Sequence, residues 1–119
     1  MAKARQQLSL ELPPDEVVRL AETTAAELGW ELSQESDGRL IVDEDATKLH
    51  CHCSPLHAEL ELKPEENGMR TRLVVTGKVA GWGPLATEHV RRQTDLLSRR
   101  LGLAAISASR GGAPAEQSS

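Results

Sequence analysis

The chain has 119 residues and a formal net charge of −4, with 39% hydrophobic and 27% charged residues. That length favours one core, and the composition is that of a globular chain rather than a wholly disordered or membrane-spanning one. No apolar run approaches the roughly 20 residues that cross a bilayer, and the negative balance gives no global attraction to nucleic acid or to an anionic membrane.

Gln7 to Leu12 alternates, with Leu8, Leu10 and Leu12 on one face, which predicts a half-buried strand; residues 1–6 before it are read as a flexible terminus. Pro13-Pro14 ends the strand, and a helix starts near Pro14 with Asp15 and Glu16 at the favourable end of its dipole. Val17, Leu20, Ala21, Thr24 and Leu28 form its apolar stripe, and Gly29 its carboxyl cap. Trp30 to Glu35 and Arg39 to Val42 predict two antiparallel strands, with Asp37-Gly38 supplying the positive φ angles of the hairpin turn. The acidic run Asp43-Glu44-Asp45 reads as a solvated loop. A strand over Lys48 to Cys53 follows, then two more, Leu56 to Lys63 and Met69 to Ala80, joined by a turn at Pro64 to Gly68. Gly77 and Gly81 are the places where a curved sheet would kink. Gly83-Pro84 opens a second helix whose Ala86, Val90, Leu97 and Leu101 share a face, with Arg99 and Arg100 in the last turn and Gly102 as the stop. Residues 107–119 carry little to bury and read as a disordered tail.

The order is strand, helix, four or five antiparallel strands, helix. It predicts an α+β two-layer sandwich over residues 7–106, with a curved antiparallel sheet and both helices on one face. Leu60, Leu62, Leu73 and Val75 face the helices, while Glu59, Glu61, Arg70 and Arg72 face solvent as cross-strand charge pairs. In element order, residues 7–102 resemble the helix-grip architecture of START-related ligand-binding domains and, less closely, the TATA-box-binding-protein-like fold. The resemblance implies a small-molecule-binding role and rests on no specific motif.

The densest chemistry lies in the run 50–57, which holds both cysteines and three of the four histidines. On a strand, Leu49, Cys51 and Cys53 point one way and Lys48, His50 and His52 the other. The cysteines then become small core residues, too far apart at about 7 Å between Cβ atoms to form a disulfide. Two cysteines cannot build a four-thiolate zinc site. Pairing with Leu56 to Lys63 sets His52 opposite His57 and His50 opposite Glu59, a ligand set that zinc or another first-row metal could use; the plainer reading is a polar outer face with no cofactor.

Elsewhere the sequence is quieter. Gly81-Trp82-Gly83-Pro84 is either a ligand-gating loop or a strand-to-helix turn. His89, Arg91, Arg92, Arg99 and Arg100 make the second helix basic, diluted by Glu88 and Asp95, and a solvated face is the simpler account. The acidic loops offer no partnered acid or base, and no phosphate loop, serine elbow or zincin helix occurs.

The core must be built from Leu, Val, Ile and Ala, because Trp30 and Trp82 are its only aromatics. Such a core makes a large internal cavity hard to support and disfavours single-stranded nucleic acid as a partner. With no secretory signal at its start and two reducible cysteines, the chain is expected in the cytoplasm. Three readings follow. The first is a non-enzymatic module taking a small apolar or amphipathic ligand between sheet and second helix, bordered by Trp30, Trp82 and Gly83. The second is a metal-binding protein using His50, His52, His57 and Glu59. The third is a structural homodimer formed through an exposed strand edge or the basic helix.

Overall fold

A computed structural model describes residues 1–48 and 54–109. The elements run β1 (Ala2–Leu10), α1 (Pro14–Leu28), β2 (Glu31–Ser36), β3 (Arg39–Asp43), one 3₁₀ turn (Ala46–Lys48), β4 (His57–Glu65), β5 (Arg70–Val79) and α2 (Pro84–Ser109). The strands form one antiparallel sheet in the order β1-β5-β4-β3-β2, and the helices cover one face. This is the expected α+β sandwich.

Side-chain alternation explains the core. Leu40, Val42, Ala58, Leu60, Leu62, Leu73 and Val75 are buried beneath Val17, Ala21 and Ala25 of α1 and Val90, Leu97 and Leu101 of α2. On the opposite face Glu59 is shared by Arg39 of β3 and Lys78 of β5 at 2.7 and 3.2 Å. The Arg39 hydrogen bond, then that of Lys78, holds the Glu59 carboxyl below the usual carboxylate range. The expected pairing of Glu59 and Glu61 with Arg70 and Arg72 is thus replaced by other partners: Arg70 engages Glu11 and Glu66, and Arg72 engages Glu65.

Several boundaries differ from the sequence expectation, each for a physical reason. β1 takes in Ala2 to Gln6, the stretch read as flexible, because β5 is long enough to pair with it down to Val79. In the β2–β3 turn only Gly38 has positive φ, and the pairing register shifts between Gln34 and Ser36. Gly102 does not stop α2. Ala105, one turn beyond Leu101, is also buried, and burying it outweighs the roughly 1 kcal/mol that a helical glycine costs. Residues 107–109, assigned to the tail, are thus helical, Arg99 and Arg100 lie in mid-helix, and residues 110–119 fall outside the described residues.

The expected strand over Lys48 to Cys53 falls almost wholly outside the described residues. From His57 to Glu61 β4 is flanked by β3 on one side and β5 on the other, with His57 opposite both Asp43 and Lys78. Lys48 closes the 3₁₀ turn, and residues 49–53 fall outside the described residues.

Gly77 has a sharper role than a kink. A Cβ there would collide with Thr94 Oγ1 of α2 and stand 3.0 Å from Leu56 Cδ1. The missing side chain lets α2 settle directly onto β5, and the seam between them is filled by Val75, Val79, Val90 and Leu97.

Candidate functional site

One open part of the molecule is an end of the sheet. β2 starts there at Glu31, β3 ends at Asp43, β4 starts at His57, and α2 begins from the same side after β5. α1 also delivers a residue to this end. Gly29 turns the helix off at φ 76, and the Trp30 amide donates to the Ala25 carbonyl at 2.8 Å, closing the left-handed cap. The Trp30 ring is thereby fixed, half-buried, against the edge of the core.

Beside it opens a cavity of about 500 Å³, lined among the described residues by Gly29, Trp30, Glu31, Asp43, Glu44, Asp45 and Ala46. The acidic run is therefore not a plain solvated loop. Asp43 Oδ1 lies 2.7 Å from His57 Nδ1 across the β3–β4 pair. Asp45 Oδ1 receives the amide and hydroxyl of Thr47 at 2.9 and 2.7 Å, which shapes the 3₁₀ turn.

Glu44 departs furthest from the expectation. Its side chain keeps only 6% of its exposure. Its amide donates to the Leu56 carbonyl, continuing the β3–β4 ladder by one rung, and Oε1 receives the Leu56 amide at 3.0 Å. His89 Nε2 lies 2.7 Å from Oε1, and Gln93 Nε2 donates to Oε2 at 2.7 Å. A buried carboxylate survives when its lone pairs are filled in this way. Glu44 thus ties the loop after β3 to the first turns of α2, and the expectation of no partnered acid or base does not hold. The readable signal was the spacing of His89 and Gln93, four residues apart beside the buried stripe Ala86, Val90, Thr94 and Leu97.

The expected site residues separate. Trp30 lines the cavity. Trp82 is 87% exposed, Gly83 has open space around it, and neither lines the cavity. Of the proposed metal ligands, His57 is joined to Asp43, Glu59 has both oxygens on cations, and His50 and His52 lie outside the described residues. Among the described residues no three His, Cys, Asp or Glu side chains come together to hold a metal ion. The basic face of α2 is neutralised locally: Arg91 and Arg92 both engage Glu88, Arg99 engages Asp95, and Arg100 reaches Glu27 of α1. The Arg91 and then the Arg92 hydrogen bond lower the Glu88 carboxyl pKa.

Comparison with solved structures shows the fold. A START superfamily protein from Mycobacterium smegmatis superposes with a TM-score of 0.58 at 10% identity, over 91% of this chain and 99% of that one. The protein XoxI from Bacillus cereus gives 0.56 at 11% identity, over 92% and 99%. The di-domain ARO/CYC protein BexL of the BE-7585A biosynthetic pathway gives 0.56 at 13% identity; 96% of this chain is covered, and it spans 48% of BexL. No protein-family model and no curated protein matches the chain. The architecture is the helix-grip fold of these structures, and at these identities the likeness is one of fold alone.

Proposed function

We propose that the chain is a non-enzymatic small-ligand-binding module of helix-grip type, and that its site is the cavity at the Trp30 end of the sheet rather than the seam under α2. The observation that carries this reading is the cavity itself. Its volume of about 500 Å³ lies within the range of roughly 300 to 1,000 Å³ typical of small-molecule sites. One indole and four carboxyl-bearing residues line it. Ionised carboxylates only accept hydrogen bonds, and an indole face attracts cations. The lining therefore favours an amphipathic ligand whose apolar body lies on Trp30 and whose head is an amine or another hydrogen-bond donor. Glu44 is committed to Leu56, His89 and Gln93, which suits it to hold the wall rather than to move protons during a reaction.

The chain has no tyrosine, so a Trp82→Leu variant leaves Trp30 as the only fluorophore of consequence. Alkylammonium ions of increasing chain length should shift its emission saturably and raise Tm, whereas alkyl carboxylates of matching length should not. An equal response to both series would mark a detergent-like effect, and no response to either would remove this site.

A further inference from the structure

Among the described residues the sheet has two outer strands, and they are built differently. β2 spans six residues, is irregular between Gln34 and Ser36, and carries Glu31 and Glu35. Shortness, bulging and charge are the devices by which proteins keep an edge from pairing with another chain. β1 lacks the first two: its nine residues pair with β5 without a break in register, which leaves a long, regular outer edge of unpaired backbone groups. Above that edge, against the second half of α2, runs a groove of two adjoining cavities of about 250 and 320 Å³ that share Leu8, Gly102 and Ile106. Leu103 and Ile106 on its rim are 60% and 50% exposed.

We propose that this edge is the interface of a homodimer. β1 pairs antiparallel with β1 of a second copy about a two-fold axis at Gln6, which joins two five-stranded sheets into one. The strand is self-complementary in that register. Lys3 falls opposite Ser9 and Arg5 opposite Gln7, so no like charges face each other directly; centring the axis on Arg5 would set the two arginines face to face, a destabilising arrangement. On the helix-covered side, Ala2 and Ala4 of one copy fall opposite Leu10 and Leu8 of the other. Small side chains thus enter the groove where it is lined by large ones, beneath Leu103 and Ile106. Even-numbered residues meet even-numbered ones, which keeps both α2 helices on the same face. The pairing is isologous and closes at two copies, whereas joining β1 to the β2 edge of another copy would be head-to-tail and open, and the irregularity in β2 opposes it.

Size-exclusion chromatography with light scattering on the unmodified chain should give twice the 12.9 kDa protomer mass, and a monomer at the highest soluble concentration overturns the proposal. The register is read by oxidative cross-linking after Cys51 and Cys53 are replaced by serine. Gln6→Cys should form a covalent dimer much faster than Gln7→Cys, because only the former places two thiols directly opposite; equal rates overturn the axis. Gln6 also bonds Asp95 at 3.4 Å, so a second variant guards against misfolding of the first. Leu103→Glu/Ile106→Glu changes only exposed helix positions and should be a folded monomer by circular dichroism and light scattering. A double variant that stays dimeric overturns the interface.

Discussion

The seam beneath α2 and the Trp30 end of the sheet belong to one helix-grip layer, yet they are finished in opposite ways. At the seam a glycine removes the one side chain that would hold the helix away, and Val, Leu and Thr fill what remains. At the end, carboxylates surround a cavity with hydrogen-bonding needs that close packing would not satisfy. Element order alone does not say where a fold of this kind keeps its space. Small aliphatic side chains and a close helix remove it from the interior, and polar residues preserve it at the rim.

Gly77→Ala should show the largest effect, because it attacks the closed seam directly. The added methyl meets Thr94 and Leu56 together, and overpacking of this kind costs about 3 kcal/mol at the upper end of its usual range. Urea denaturation followed by circular dichroism measures it. Adding Thr94→Ala should recover part of the loss, and a Gly77→Ala protein as stable as the parent would show that the seam has room to spare.

The open end should be weaker but still specific. Glu44→Ala leaves the Leu56 amide without its acceptor and frees His89 and Gln93. One buried unsatisfied donor and the loss of two partly exposed contacts should cost about 2 kcal/mol. The same variant should weaken any ligand response of Trp30, since the segment from Asp43 to Asp45 loses its tie to α2. Equal losses in stability and binding for a substitution at the seam would erase the contrast between the two regions.

Much of this was legible in the chain. Alternation marked the strands, Gly29 ended α1, and the buried faces of β4 and β5 followed from Leu60, Leu62, Leu73 and Val75. Position along the helix axis was harder to read. Gly102 looked like a stop because local propensity is weak beside the burial of Ala105, and Gly77 looked like a kink because nothing in β5 announces that Thr94 lies above it. The site was half-legible. Trp30, expected beside a ligand, lines the cavity, whereas Glu44 was hidden within a run of three acids: its burial depends on His89 and Gln93, 45 and 49 residues away. Of the expected His52–His57 pairing only His57 lies among the described residues, opposite Asp43 and Lys78.

Thr94 supplies a test of opposite sign. Its hydroxyl is buried over Gly77 with no hydrogen-bond partner among the described residues. Thr94→Val keeps the shape and removes the unsatisfied group, so it should stabilise by about 1 kcal/mol, read as a higher urea midpoint at unchanged slope. A loss instead would mean that the hydroxyl finds a partner, and that the seam is less dry than its packing implies.

The outer face of the sheet should give the smallest effect, and one that depends on pH. Arg39 and then Lys78 lower the Glu59 pKa in the folded chain. A carboxyl depressed on folding contributes stability that is present above its unfolded pKa of roughly 4.3 and lost as pH falls through the folded value. Glu59→Gln should therefore lower the urea midpoint slightly at pH 6, and the gap to the parent should close as pH falls below the unfolded value of roughly 4.3. Salt should narrow the gap at pH 6, because these charges are partly exposed. A gap that is constant across the whole range would show that the effect does not come from ionisation of the carboxyl, and would make the outer face, like the seam, a matter of fit rather than charge.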